Sequence, residues 1–175
     1  FSGLLVLFNL AEESSASGGN FAGGDGTIEN PYQIEDVYDL QAMKNNLDAH
    51  YILINNIDAS VTRDWNDYEG FEPVGDNNNP FMGSLDGQGY KITGLYINST
   101  SGEDVGLFGC VGEDGSVTNL DLLNVDVNGE SDYESVGALV GLNIGTVENC
   151  SATGTVTGKG GFGVLIGYKK GDVKN

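Results

Sequence analysis

Residues 105–120 read VGLFGCVGEDGSVTNL, residues 136–150 read VGALVGLNIGTVENC, and residues 162–175 read FGVLIGYKKGDVKN. They share the core Gly-[Ser/Thr/Asp]-Val-x-Asn, which begins at Gly115, Gly145 and Gly171, so its copies lie 30 and 26 residues apart. A period of about 25 to 30 residues, built from short strands and glycine corners, is typical of a β-solenoid. Each coil of such a fold adds a rung about 4.8 Å above the last. The repeat therefore predicts stacked coils and not a packed helical domain.

The composition suits narrow coils with tight corners. Glycine accounts for 28 of the 175 residues, and glycine adopts positive φ angles without steric cost. A fainter copy of the pattern at residues 90–97 (YKITGLYI) precedes the three clear ones, so we expect about four coils. Because Asn119, Asn149 and Asn175 occupy the same place in the repeat, their amides are predicted to stack as a ladder between rungs.

The chain before the repeats has three parts. Residues 1–10 (FSGLLVLFNL) are mostly apolar, residues 11–26 form a Ser- and Gly-rich tether, and residues 27–80 form a predicted cap in front of the solenoid at 81–175. In the cap, apolar residues at helical spacing predict one amphipathic helix over residues 35–49. A short strand at residues 51–57 and a loop that contains Trp65 are predicted to follow. The predicted fold is thus mostly β, a β-helix with one capping helix and an extended apolar N-terminal segment.

The charge balance limits the partners that the protein could bind. The chain has 26 Asp and Glu against 7 Lys and Arg, a formal net charge of −19. We therefore expect no binding to nucleic acid and none to an anionic membrane surface. No apolar run approaches the roughly 20 residues of a membrane-spanning helix, so no membrane insertion of the mature form is expected. The two cysteines, Cys110 and Cys150, lie at different stations of the repeat, which favours two buried thiols over a disulfide.

A family resemblance rests on a longer series of motifs. Eight motifs follow one another between residues 26 and 158: GTIENPYQI, YILINNIDAS, FEPVG, PFMGSLDGQGYKITGLYI, VGLFG, GSVTNLDLLNV, VGALVG and GTVENCSATGTVTG. This order resembles the GLUG-repeat proteins of microbial cell surfaces, adhesin-like chains akin to filamentous-haemagglutinin-type β-helices. The resemblance implies a right-handed β-helix with an N-terminal cap and an extracellular or cell-surface location. It implies no catalytic residues.

Several residues are weaker candidates for chemistry. A polysaccharide-active β-helix enzyme is the least favoured function, since Arg63 and His50, the only Arg and the only His, have no repeated acidic partner. We therefore predict that the protein is not an enzyme and needs no cofactor. Bound Ca²⁺ is a low-ranking alternative at the segment DWNDYEG, whose candidate ligands are Asp64, Asn66, Asp67 and Glu69. Two sequons make Asn98 and Asn149 candidates for glycosylation.

The most informative features for function are the two ends of the sequence. The last repeat stops at Asn175, partway through a coil, which is expected to leave an unpaired strand edge. An uninterrupted apolar run is typical of a strand buried on both faces. We predict that the N-terminal run is donated to a neighbouring subunit as an extra strand, so that identical subunits join head to tail into an extracellular filament. The predicted donor residues are Leu4, Leu5, Val6, Leu7, Phe8 and Leu10.

One other interpretation of the N-terminal run remains open at this point. The run can be a leftover or partly structured leader segment that packs on its own body. In that case the protein would be a monomeric adhesin-like module that binds a glycan or a host surface through one solenoid face. The leading interpretation predicts that the protein's main partner is itself, and the alternative predicts glycans.

Overall fold

The computed structural model describes residues 20–100, 104–130 and 135–174. The predicted donor strand at residues 1–10, the first part of the tether (11–19) and Asn175 lie outside the described residues. One α-helix is present in the described ranges, α1 (Val37–Ala42), and 3₁₀ turns follow at Met43–Asn45, Ser60–Asp64 and Asn66–Tyr68. The strands are β1 (Tyr32–Ile34), β2 (His50–Leu53), β3 (Ile57–Asp58), β4 (Ser84–Asp86), β5 (Lys91–Thr93), β6 (Tyr96–Ser99), β7 (Phe108–Val111), β8 (Ser116–Thr118), β9 (Asp121–Gly129), β10 (Ser135–Gly137), β11 (Val140–Asn143), β12 (Thr146–Glu148), β13 (Ser151–Gly158), β14 (Gly161–Gly163), β15 (Ile166–Lys169) and β16 (Asp172–Lys174).

The strands stack as rungs of parallel sheets. One sheet has the order β1-β2-β4-β8-β12-β16, a second has the order β3-β5-β9-β13, and β6 also pairs with β9. A third sheet stacks β7, β11 and β15, and β10 pairs with β14. Each coil of the chain contributes a strand to one sheet after another, and the next coil stacks on it as the following rung. The predicted fold class, a mostly β solenoid of about four coils with one short capping helix, is confirmed.

The repeat spacing sets the register between rungs. Val117 lies opposite Val147 and Val147 opposite Val173, so the valine of the repeat core occupies one column of the stack. The change in spacing from 30 to 26 residues also has a structural origin. One residue is absorbed by a register shift between Ala152 and Gly154, and the link from β13 to β14 is three residues shorter than the link from β9 to β10.

The interior is filled by columns of apolar side chains. The inward residues of the six-stranded sheet, among them Leu85, Val117 and Val147, are almost completely buried. An aromatic column crosses the coils, with ring centroids 5.7 Å apart for Tyr32 and Tyr51, 6.3 Å for Tyr51 and Phe81, and 4.8 Å for Phe81 and Phe108. Burial raises the pKa of Tyr51, whose hydroxyl donates a hydrogen bond of 2.7 Å to the carbonyl oxygen of Asn46. Because every rung covers the one below it, burial depends on having a neighbour on both sides.

The glycines of the repeat core serve a different purpose from the one expected. Gly115, Gly145 and Gly171 do not have positive φ angles, which are found instead at Asn119 (φ 55°) and Asn149 (φ 52°). A Cβ at Gly145 would lie 2.2 Å from the carbonyl oxygen of Gly112 and 2.3 Å from that of Gly115. These glycines are therefore required because the backbones of successive coils approach closely at the corner, while asparagine supplies the left-handed residue.

The capping helix is shorter than the predicted span of residues 35–49. Asp36 caps α1, since its carboxylate accepts from the backbone N–H groups of Tyr38 and Asp39, 2.9 and 3.0 Å away. Regular helix ends at Ala42, and extended backbone at Asn46 (φ −147°) then directs the chain into the first coil. The predicted strand at residues 51–57 is divided into β2 and β3, because the chain turns a corner between them.

Candidate functional site

The candidate functional site is the last described coil. It is called here the terminal rung and is defined as residues 158–174. It contains β14, β15 and β16, and each of these strands has a hydrogen-bonded neighbour on one side only. Unpaired backbone groups at a sheet edge are a template for pairing with another strand. The terminal rung therefore offers three strand edges in the described structure.

Apolar side chains on the terminal rung are exposed where their counterparts one coil below are buried. Phe162 is 61% exposed, whereas Val136, its partner in β10, is fully buried. Val164 is 55% exposed, and Tyr168 in β15 is 57% exposed. The difference arises because the terminal rung has no further coil above it among the described residues.

The opposite end of the solenoid is covered. The backbone N–H of Ala22 donates to the carbonyl oxygen of Gln33 at 3.0 Å, and the N–H of Gln33 donates to the carbonyl oxygen of Gly23 at 2.9 Å. The ring of Phe21 stacks on that of Tyr32 at a centroid distance of 4.4 Å. Residues 21–23 thus protect the edge of β1. This covered end of the described solenoid is called here the cap end.

The asparagines of the repeat core lie on one face of the stack. The Nδ2 group of Asn149 donates to Oδ1 of Asn119 at 3.2 Å, and Nδ2 of Asn119 donates to a carboxylate oxygen of Asp86 at 2.9 Å. The third predicted member, Asn175, lies outside the described residues. The three-membered ladder as a whole therefore stays a prediction.

Sequence reasoning missed a second polar column. Asn128 in β9 donates from Nδ2 to Oδ1 of Asn98 in β6 at 2.8 Å, and the hydroxyl of Thr157 in β13 donates to Oδ1 of Asn128 at 2.6 Å. The spacing of 30 and 29 residues between these positions was the available signal, but the residue types differ and lie outside the repeat core. The column engages Oδ1 of Asn98, one of the two glycosylation candidates. The other, Asn149, uses its Nδ2 group in the first ladder, and glycosylation at both sites stays a prediction.

The predicted calcium ligands do not form a ligand set. Asn66 donates from Nδ2 to the carbonyl oxygen of Gly70 at 2.8 Å, and Glu69 accepts from the hydroxyl of Thr100 at 2.9 Å. No group of three or more His, Cys, Asp or Glu side chains suited to a metal ion occurs in residues 20–100, 104–130 and 135–174, which include Asp64 and Asp67. Bound Ca²⁺ therefore has no support from the arrangement of these side chains.

The two residues on which an enzyme would depend make structural contacts. Arg63 donates from Nη2 to a carboxylate oxygen of Asp126 at 2.7 Å, and its guanidinium lies 4.2 Å from the ring centroid of Tyr96. Nδ1 of His50 lies 2.7 Å from the hydroxyl of Ser84 on the adjacent strand. Arg63 thereby fixes the Trp loop to β9, and His50 links two rungs. The expectation that the protein is not an enzyme stays a prediction.

Both cysteines are free thiols inside the coils. Burial raises the pKa of Cys110 to about 11 and also raises the pKa of Cys150. Since the thiolate is the reactive form, these side chains are packing residues with little reactivity at neutral pH.

A cleft of about 980 Å³ lies between residues 44–48 and the loop at residues 66–79. Its polar lining residues include Asn45, Asp48, Glu69 and Asp76. Among its described lining residues the only cation is Lys44, which pairs with Glu72. The cleft is open, polar and acidic.

Comparison with known protein families identifies a motif in the repeat. The family described as the GLUG motif matches residues 132–157, which span most of the segment from β10 to β13. The chain carries the GLUG motif. The resemblance inferred from the sequence is thus confirmed at these residues, and the chain is a β-helix that carries this motif.

Two relatives align with most of this sequence. "Halomucin" of Haloquadratum walsbyi is 43% identical over 159 residues, which is 85% of this chain and 2% of that protein. The "Putative Gly-rich membrane protein" of Evansella cellulosilytica is 45% identical over 133 residues, 75% of this chain and 15% of that protein. The chain therefore spans only a small part of the length of these relatives. In the described residues, no helix is long and apolar enough to cross a membrane.

A solved structure is similar in fold. It is described as a putative immunoglobulin A1 protease from Bacteroides ovatus, and it superimposes with a TM-score of 0.65 at 18% identity. The match covers 91% of this chain and 59% of that one. At this level of identity the likeness concerns the fold alone.

Replacing Asn119 separates its two structural roles. Asn119→Gly keeps the left-handed backbone but loses the side-chain hydrogen bonds, so we expect the free energy of unfolding to fall by about 1 kcal/mol. Asn119→Ala also places a Cβ on a residue with positive φ, and we expect it to lower the free energy of unfolding by a further ~1 kcal/mol. Urea denaturation measures both values. Equal stability of the glycine variant and the parent would show that the ladder contributes nothing.

Proposed function

We propose that the protein is a structural, non-catalytic subunit of an extracellular assembly, in which copies join head to tail. In this account residues 1–10 of one copy add a strand to the terminal rung of the next. The observation that carries the proposal is the uninterrupted apolar run at residues 4–8, and the surface it would cover includes Phe162, Val164 and Tyr168, which are exposed on the last described coil. A donated strand would supply both the missing backbone partners and an apolar cover.

The donor segment has the composition that this position requires. The run from Leu4 to Phe8 (LLVLF) offers apolar side chains on both faces of a strand. Burying five such side chains at roughly 1.5 to 3 kcal/mol each gives on the order of 10 kcal/mol before the cost of ordering the segment. A contribution of this size is enough for a durable joint between subunits.

The geometry of the ends favours donation between copies. Residue 20 lies at the cap end, beside Phe21 and its contact with Tyr32. In a head-to-tail pair, this end of one copy faces the terminal rung of the other. The nine residues at 11–19 can span at most about 30 Å at roughly 3.3 Å per residue. The donor run therefore has a short route to the neighbouring rung.

Charge placed in the donor run tests the proposal. Leu5→Asp with Leu7→Asp puts two carboxylates into the buried strand, and we expect concentration-dependent association to weaken at least about a hundredfold because charge burial is costly. The matched control, Ser14→Asp with Ser15→Asp, adds the same charge to the tether and is expected to associate like the parent. Sedimentation velocity over a range of protein concentrations measures both. Undiminished association of the Leu5 and Leu7 variant would contradict the donor role.

A second candidate function is a module that binds a glycan. The acidic cleft favours it, since amide and carboxylate side chains such as Asn45, Asp48 and Asp76 are suited to hydrogen bonding with hydroxyl groups. This function predicts a monomer at every concentration and binding to a glycan that is lost on Asp48→Ala. Glycan-array binding combined with sedimentation distinguishes it from the assembly.

A further inference from the structure

Three aromatic side chains of the cap form a stack that runs from the surface into the core. It is called here the surface stack and consists of Tyr38, Trp65 and Phe71. The ring centroids of Tyr38 and Trp65 are 5.4 Å apart at an interplanar angle of 32°, and those of Trp65 and Phe71 are 6.5 Å apart at 23°. Phe71 is buried, Trp65 is half-buried and Tyr38 is 49% exposed. The surface stack therefore ends in one exposed ring.

The outermost ring of the surface stack is held in place by hydrogen bonds of α1. The carboxylate of Asp36 accepts from the backbone N–H of Tyr38 at 2.9 Å and fixes the first turn of the helix. Gln41 donates from Nε2 to the carbonyl oxygen of Glu72 at 2.9 Å, and its Oε1 accepts from the backbone N–H of Glu72 at 2.9 Å. These bonds tie α1 to the residue that follows Phe71. A ring that is positioned in advance binds a ligand at a lower entropic cost than a flexible one.

The loop that carries Trp65 has an unusual backbone. Asn66, Asp67 and Tyr68 all have positive φ angles, of 51°, 53° and 70°, a conformation that is uncommon outside glycine. Nδ2 of Asn66 donates to the carbonyl oxygen of Gly70 and closes the loop. Backbone strain of this kind persists where the surrounding structure enforces it, and it is concentrated at binding and active sites. The strained residues follow Trp65 directly in the chain.

The surface stack adjoins the acidic cleft. Phe71, its innermost ring, is a lining residue of the cleft, as are Glu69 and Glu72. The other acidic lining residues are Asp48, Asp76 and Asp104. The cation Lys44 is already paired with Glu72. Carboxylates accept hydrogen bonds from hydroxyl groups but repel an anionic ligand. The ligand that suits both features is rich in hydroxyl groups and carries no negative charge.

We infer that the exposed ring of Tyr38 is a stacking subsite for one sugar ring of a neutral glycan. The C–H groups on one face of a pyranose ring are weakly positive, and they fit the negative π face of an aromatic ring. The inference rests on the second candidate function, that of a glycan-binding module, and it names a further surface of that site and the class of glycan. A protein partner does not fit the patch, because a stable protein interface buries about 800 Å² on each partner. One half-exposed tyrosine offers a small fraction of that area.

Tryptophan fluorescence tests the inference, because Trp65 is the only tryptophan of the chain and reports on the surface stack alone. The 175-residue chain is titrated with neutral hexasaccharides of glucose, mannose and xylose. At least one of them is expected to change the emission saturably. A hexamer of galacturonic acid, which is anionic, is expected to bind at least about tenfold more weakly. Unchanged emission with every neutral hexasaccharide, or tighter binding of the anionic hexamer, overturns the inference.

Substitutions of Tyr38 separate stacking from packing. Tyr38→Phe keeps the ring and is expected to bind the neutral hexasaccharide within about twofold of the parent. Tyr38→Leu keeps an apolar contact with Trp65 but loses the flat ring, so we expect about tenfold weaker binding. Circular dichroism verifies that both variants are folded. Parent-like binding of the Tyr38→Leu chain overturns the inference.

Tyr68→Ala is the matched control. Tyr68 is 68% exposed in the same loop as Trp65, and its ring contacts no other ring in the described part of the chain. The control is therefore expected to bind the neutral hexasaccharide within about twofold of the parent. A loss of binding equal to that of Tyr38→Leu would assign the effect to the loop as a whole and would also overturn the inference.

Failure of the inference is distinguishable from failure of the glycan-binding cleft. If Asp48→Ala abolishes binding and Tyr38→Leu does not, the cleft stands and the stacking subsite is overturned. If Tyr38→Leu weakens binding and Asp48→Ala does not, the subsite stands without the cleft. The emission of Trp65 without glycan tests two other occupants of the patch. A change of emission with protein concentration, or in the Leu5→Asp, Leu7→Asp chain, shows that a second copy or residues 1–10 cover it and overturns the inference.

Discussion

Gly145→Ala is expected to lower the free energy of unfolding by more than about 3 kcal/mol. The added Cβ would meet the carbonyl oxygens of Gly112 and Gly115 at 2.2 and 2.3 Å. Both oxygens belong to the backbone of the preceding coil, which cannot move aside as a flexible side chain can. The same close approach recurs at Gly115, where the carbonyl oxygen of Phe81 is 2.2 Å from the Cβ position. Adding one methyl group therefore pushes two rungs apart at a shared corner.

Gly161→Ala is the matched control for this substitution. The nearest atom to its Cβ position is the carbonyl oxygen of Gly167 at 3.9 Å, an ordinary contact distance. We expect its effect to stay within about 0.5 kcal/mol. Urea denaturation followed by circular dichroism measures both variants. If the two alanine variants were equally stable, close backbone approach would not be the reason for glycine in the repeat core.

Phe108→Ala is expected to cost about 3 to 5 kcal/mol of unfolding free energy. Phe108 is completely buried in β7, and its ring lies 4.8 Å from that of Phe81 in the aromatic column. Removal of the ring leaves a cavity between rungs that are fixed on both sides by backbone hydrogen bonds. Since these rungs cannot collapse toward each other, the cavity term adds to the lost burial.

Phe162→Ala makes the same chemical change on the terminal rung. Phe162 is exposed, so its replacement is expected to lower the stability of the single subunit by less than about 1 kcal/mol. Under the proposed function it should weaken association instead, because the side chain contacts the donated strand. Loss of stability in the Phe162 variant equal to that of the Phe108 variant would show that Phe162 is packed within its own subunit.

The solenoid could be predicted because the period of the sequence repeat sets the register between its rungs. In a parallel stack, residues one period apart become neighbours across rungs, as Val117, Val147 and Val173 do. The repeat did not predict that asparagine, and not the glycine of the repeat core, adopts the left-handed backbone conformation. This choice depends on the packing of Gly145 against the coil below, which excludes a side chain there, and on the amide of Asn149, which has a partner in Asn119.

Other features depended on contacts that sequence spacing does not encode. α1 ends early because the chain must enter the first coil at Asn46. The column formed by Asn98, Asn128 and Thr157 mixes residue types and crosses from β6 to β9 to β13, so it has no common motif.

Electron cryomicroscopy of the purified 175-residue chain tests the central claim most directly. The account predicts fibres in which the rung spacing of about 4.8 Å continues through each joint between copies. It also predicts that residues 1–10 of one copy form a strand beside β15 of the next. Single particles at every concentration, or residues 1–10 packed on the coil of their own chain, would contradict it.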